Sequence, residues 1–272
     1  MIARREQHLT YLLLGVFSLI ALAPIVGILV TALQARGGAT SFGVPDGLNL
    51  ENFATAWDEG NFADYLRSSV IVTVSVVVLS TLLSILAGYA FGMMRFRGST
   101  VLFYMMLLGL MVPLEATIVP LYYDLRDLGL TDTYWALILP QVGASVAFGT
   151  FWMRAFFRSV PRSLVEAARL DGSSSWTTLW RVVLPLGRPA VLTMVALLFM
   201  WTWNEFLLAL VMVSDEGLRT APLGLAFFQG RNTTDYALLS AGSVIVATPV
   251  VLLYVFLQRH FIRGMLAGAV KG

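Results

Sequence analysis

The chain has 272 residues, of which 58% are apolar and 12% charged, about half the charged fraction of an ordinary soluble domain, and that composition belongs to a membrane protein. Its net charge of +2 comes from 17 arginines and a single lysine, Lys271, set against 16 acids; no Gly-Lys pair occurs, which excludes a phosphate-binding loop of the G-x-x-x-x-G-K-[ST] kind and any ATPase built on one. The absence of cysteine excludes disulfides, thiol nucleophiles and zinc-thiolate sites, and two histidines, His8 and His260, are too few for a His-rich metal centre.

In chain order, charge-free runs cover residues 9–35, 68–94, 133–153 and 236–258, each long enough at about 1.5 Å per residue to cross roughly 30 Å of hydrocarbon. Two further runs carry one charge each: Glu115 alone between Arg97 and Asp124, and Glu205 alone between Arg188 and Asp215. These runs predict an all-α integral membrane protein with six spans near 9–33, 68–94, 101–123, 134–157, 190–213 and 237–258, since backbone polar groups in lipid must be satisfied within a helix or a closed barrel, and barrel strands would alternate over about ten residues.

Six spans place both termini on one side. Arg4, Arg5, Arg95, Arg97, Arg154, Arg158, Arg162, Arg169, Arg181, Arg188, Arg259, Arg263 and Lys271 share the side of the termini, against Arg36, Arg67, Arg126, Arg219 and Arg231 on the other, so the termini are expected in the cytoplasm. This gives a cytoplasmic N-terminus at 1–8, a single transmembrane domain over 9–272 and a cytoplasmic tail over 259–272. The first run is too long for a typical cleavable signal and reads as a retained anchor. Between the first two spans, residues 49–57 form an amphipathic segment suited to resting on the membrane surface. No internal repeat is visible, which weakens a transporter built from duplicated halves.

Residues 158–188 form a cytoplasmic loop with structure of its own. Ser163 followed by Glu166 is a capping box that predicts a helix running over Leu164 to about Leu170, and Gly172 supplies its stop. One of Ser173 to Ser175 caps a second helix through Trp176, Leu179 and Val183, which Pro185 and Pro189 separate from span five. The expected product is two short helices at an angle.

The order Glu166-Ala167-Ala168, Asp171-Gly172 and Leu184-Pro185, ahead of the penultimate span, resembles the signature of inner-membrane permease subunits of binding-protein-dependent ABC importers. The stretches 112–120, 128–135, 201–206 and 261–272 narrow the likeness to the carbohydrate-uptake branch, and within it to the second, smaller permease of the maltose type. The resemblance implies the type I importer permease fold, with a second permease subunit, two ATP-binding subunits and an extracytoplasmic solute-binding protein as partners. It implies no cofactor on this chain, ATP and Mg being held by the partner ATPase. It makes 158–188 the coupling loop: Glu166 offers a carboxylate to an ATPase cation, Ala167 and Ala168 let the helix sit close, and Gly172, after Asp171, allows the turn before Pro185. Glu166 also has the capping box open to it, and a carboxylate has oxygens for both tasks. The tail with Gly268 and Lys271 resembles one that reaches into the ATPase dimer, and the third outer loop (214–236) resembles one that probes the binding protein.

A carboxylate inside a span costs about 2.5–3.5 kcal/mol on insertion scales and usually faces a partner or a water-filled cavity. Glu115, near Pro113 and Pro120, either helps to break its helix or lines the pathway. Trp203, Asn204 and Glu205 place an aromatic beside an amide and an acid, which suits stacking on and hydrogen-bonding a sugar; pairing of Glu205 with a neighbouring helix explains it equally. Gly88 and Gly92 form a small-x-x-x-small pair for helix packing. Two rival readings are an ion-coupled transporter using Glu205 or Glu115, which leaves the cytoplasmic loop unexplained, and a membrane-embedded hydrolase, whose histidines stand at opposite ends of the chain. Within the ABC reading, a solute such as glycerol 3-phosphate shares the same motifs.

Overall fold

A computed structural model of the chain describes residues 4–36, 47–229 and 234–269. Apolar runs with no water to bond their backbone close their hydrogen bonds internally, and the long runs accordingly form α1 (Arg4–Ala32), α3 (Phe62–Met93), α6 (Tyr134–Ser159) and the last helix, Tyr236–Ala269. Among the described residues, four helices are long and apolar enough to cross a membrane, or up to six if each of two bent pairs is one span. Gln229 and Thr234 form an isolated antiparallel bridge. The chain divides into two compact units, residues 1–63 with 223–249, and 64–222 with 250–272.

In the first unit, the amphipathic segment after α1 forms α2 (Glu51–Glu59). A helix C-terminus leaves carbonyls without intrahelical donors, and buried Asn52 answers this by donating from Nδ2 to Ala32 O at 2.8 Å and Gln34 O at 2.9 Å. The segment is therefore anchored on the end of α1. Phe62, fully buried, stacks on Phe228 at 6.2 Å. Arg36 lies between Glu59 at 3.6 Å and Asp235 at 3.1 Å, exposed pairs each worth about 0–1 kcal/mol.

In the second unit, α3 and α6 pack backbone to backbone. A Cβ on Gly88 would stand 2.6 Å from Met153 Cβ and 3.1 Å from the Arg154 nitrogen, and one on Gly92 would stand 2.9 Å from Phe157 Cβ. The small pair read from the sequence is thus a packing device, matched from α6 by Gly149, whose added Cβ would collide with the Ser84 side chain.

Two expected spans are broken. The third divides into α4 (Ser99–Met111) and α5 (Leu114–Asp127), bent by 97°. Pro113 carries no N–H to continue α4 and holds Val112 extended, with ψ 115°. The fifth is divided at Asn204–Phe206 into α9 (Arg188–Trp203) and α10 (Leu207–Met212), after α7 (Arg162–Leu170) and α8 (Ser175–Leu186). The last helix, α11 (Tyr236–Ala269), continues past the expected end of its span, so the tail from residue 259 is helical as far as Ala269. Gly268 lies in that final turn, and Lys271 lies outside the described residues.

Candidate functional site

The elbow over residues 158–188 is built from its turns. Pro161, with φ −56° and ψ 130°, stands in the N-cap position, and Leu164 N–H donates to its carbonyl at 3.2 Å. The helix therefore starts at Arg162, ahead of the expected capping box, and no side chain caps it. Ser163 falls inside the first turn, where its hydroxyl is misplaced for an N-cap. The correction matters for Glu166: its carboxylate is not spent on the helix start and stands exposed.

The far end of α7 is as expected. Gly172 adopts φ +78°, its N–H donates to Arg169 O at 3.0 Å, and Ser173 N–H donates to Ala168 O at 2.9 Å, the paired bonds of a Schellman stop. An L side chain in this left-handed region costs roughly 1–2 kcal/mol. Gly172→Ala is expected to weaken the elbow by that amount, read as a lower thermal unfolding midpoint of the purified protein; an unchanged midpoint would show that the turn does not require glycine.

Ser174 then caps α8, its Oγ accepting from Thr177 N–H at 3.2 Å. The helix is parted from the next between Pro185 and Pro189, as the sequence had suggested. Thr178–Val183 winds as a π-helix, and this wider turn accommodates the ring and missing N–H of Pro185 without a break. The division falls at Gly187, from which α9 departs with an 82° bend and with Pro189 in its first turn. Gly187 is required by closeness, since a Cβ there would lie 2.5 Å from the Phe156 ring. The Leu-Gly-Arg-Pro run over 186–189 carried that signal.

The elbow is welded to membrane helices. Val165 of α7 and Leu179 and Val183 of α8 are buried in one cluster with Ile85 and Tyr89 of α3, Met153 and Phe157 of α6, and Met194 and Leu198 of α9. Tyr89 meets Phe157 edge-on at 5.5 Å. Ala168 is 7% exposed, so its small side chain is covered by its own chain and not open to a partner. Glu166, Ala167, Asp171, Gly172 and Pro185 are exposed. Beside them Leu170 is 90% and Trp176 62% exposed, an apolar pair that the sequence reading had not assigned to a docking surface.

The second candidate group lies at the break in the fifth span. Asn204 closes the end of α9, its backbone N–H and its Nδ2 both donating to Met200 O, at 3.2 and 2.7 Å. Glu205 opens α10: Oε1 accepts from Leu208 N–H at 2.6 Å and Oε2 from Ala209 N–H at 3.2 Å. A carboxylate at a helix N-terminus is favoured by the unpaired N–H groups and by the helix dipole. Trp203 is 2% exposed and stacked on Phe199 at 5.5 Å, so the ring expected to stack on a solute is covered by its own chain. Glu115 stands exposed in the first turn of α5.

The model of the family described as binding-protein-dependent transport system inner membrane component matches residues 80–266. A probable ABC transporter permease of Bacillus subtilis is 38% identical over 85% of this chain and 77% of that protein. The diacetylchitobiose uptake system permease of Streptomyces coelicolor is 33% identical over 98% and 90%, and the arabinooligosaccharides transport system permease of Halalkalibacterium halodurans 34% identical over 93% and 92%. Among solved structures, a bacterial ABC transporter involved in the import of the acidic polysaccharide alginate matches with a TM-score of 0.83 and 26% identity, covering 95% of this chain and 97% of that one. The chain belongs to the family of binding-protein-dependent transport system inner membrane components, and is a multi-pass permease component of an ABC importer, separate from the ATPase.

Proposed function

We propose that the chain forms half of the translocation pathway for a mono- or oligosaccharide, crossing the membrane six times with both termini in the cytoplasm, beside a second permease subunit. Two ATP-binding subunits hold ATP and Mg and seat the exposed face of α7 around Glu166, Asp171 and Gly172, while an extracytoplasmic binding protein delivers the solute. The sugar reading draws on the relatives, whose names concern diacetylchitobiose, arabinooligosaccharides and maltodextrin. The observation that carries the coupling reading is the shared cluster of Val165, Leu179 and Val183 with α3, α6 and α9.

Well-packed interiors transmit displacement rather than absorb it. A push on α7 from a closing ATPase dimer therefore moves the membrane helices with it. ATP must favour one arrangement of the dimer over the other, and the elbow passes that difference to the pathway. Pro185 shapes the elbow from within α8, Glu115, Trp203, Asn204 and Glu205 act from the broken spans, and the tail that carries Gly268 and Lys271 reaches into the ATPase dimer.

Reconstituted vesicles test this. Uptake is expected to require internal ATP and to survive an uncoupler. Uptake without ATP, or full transport after joint replacement of Glu166 and Gly172, would reject the proposal in favour of an ion-coupled carrier.

A further inference from the structure

The end of α3, the start of α4, the end of α6 and the side of α7 enclose an open cleft of about 950 Å³, toward the upper end of the range of small-ligand sites. Arg95, Arg154, Arg158, Arg162 and Arg169 line it, with Glu166 the one acid among its lining residues. The ion pairs found among the described residues involve none of these five arginines. Such an accumulation of uncompensated like charge favours an anion.

The cleft is also shaped in two halves. Arg154 is held in place, its Nε donating to Phe91 O at 3.3 Å and its guanidinium lying 3.7 Å above the Phe103 ring. Planar guanidinium forks match phosphate oxygens. The helix that opens from the same cleft, α4, carries Leu102 and Met105 exposed beyond its first turn, an apolar track that begins where the arginines end. A ligand with a phosphate at one end and hydrocarbon at the other meets both halves, whereas a free nucleotide or phosphate uses only the first.

We propose that this cleft binds the phosphate headgroup of an acidic membrane phospholipid, with its acyl chains along α4. Basic pockets between helices at the cytoplasmic face are suited to such headgroups. Because Arg162 and Arg169 belong to α7, the bound headgroup bridges the membrane helices and the coupling elbow, so acidic lipid stiffens that joint. The inference rests on the membrane placement given above and is independent of the transported solute; it shares Glu166 and α7 with the proposed ATPase seat.

The test uses the purified complex in neutral detergent, with bound lipid counted by native mass spectrometry. Dioleoylphosphatidylglycerol is compared with dioleoylphosphatidylcholine, and inorganic phosphate is added in a separate arm. Wild type is expected to retain the glycerol lipid over the choline lipid, and Arg95→Gln with Arg158→Gln is expected to lower that retention about twenty-five-fold, at roughly fivefold per basic side chain near a charged surface. Arg126→Gln, outside the cleft, leaves it unchanged. Equal retention of the two lipids, unchanged retention in the double variant, or displacement of the lipid by phosphate as readily as by competing phosphatidylglycerol overturns the proposal. Should the double variant fail to assemble, Arg95→Gln alone, in the exposed turn before α4, decides: about a fivefold loss supports the site and no loss removes it. Neither uptake nor ATP hydrolysis enters the readout, so failure of the coupling reading leaves this result interpretable.

Discussion

Gly88→Leu is expected to destroy the packing of α3 against α6 and with it the recovery of assembled complex. The Cβ alone would lie 2.6 Å from Met153 Cβ and 3.1 Å from the Arg154 backbone nitrogen. Neither atom is the free end of a flexible side chain, so relief requires one helix to move. Overpacking a filled interior costs about 1–3 kcal/mol, occasionally more, and here it also forces apart the helices that carry Tyr89 and Phe157, the cluster on which the elbow sits. Gly88→Ala should show a smaller loss with the same sign. Gly109→Leu is the control: a Cβ there meets nothing within 4 Å, and leucine is the better helix former. Thermal unfolding and yield of the purified complex decide the matter, and a stable Gly88→Leu complex would mean that α3 and α6 are not in close contact in the membrane.

The second large effect is expected at Glu205. Glu205→Ala removes both acceptors and leaves the N–H groups of Leu208 and Ala209 unpaired inside an apolar span, at about 1–3 kcal/mol for each buried donor. Glu205→Gln keeps one carbonyl oxygen and should lose about half as much. A graded fall in thermal stability, alanine below glutamine below wild type, is the signature of a carboxylate that holds the broken helix in register. Were Glu205 instead a solute contact, both variants would raise KM for the solute while leaving stability untouched.

These two residues show how differently parts of the molecule were legible. Gly88 and Gly92 were readable as a packing pair because the spacing of small residues on a helix face is a local property. Glu205 was readable as unusual, since one acid stands alone in a long apolar run, but its partners were not. The acceptor role depends on where the helix breaks, and the break follows from the backbone of 204–206 and the side chains around it. The cytoplasmic loop repeats the contrast. Gly172 stops α7 as expected, because a left-handed residue after a helix is a demand that glycine meets by itself. Ser163 did not cap α7, because Pro161 two residues earlier had already set the entry angle. The break expected from Pro185 and Pro189 falls between them, at Gly187, but the close approach of the Phe156 ring that requires glycine there was not readable.

Residue by residue, the chain already shows that it lives in a membrane, where its long apolar runs lie, and that a two-helix elbow interrupts them over residues 158–188. Each of these depends on the cost of placing charge or unpaired backbone in hydrocarbon, or on the backbone preferences of glycine and proline, which act residue by residue. Only the packing of the helices decided that the expected third and fifth spans are broken, that Ala168 is buried while Glu166 stands exposed, that Trp203 is stacked on Phe199, and that Arg95 shares one cleft with the four arginines of residues 154–169. Those outcomes depend on which helices meet and at what distance, and a distance between helices is written in no single stretch of sequence.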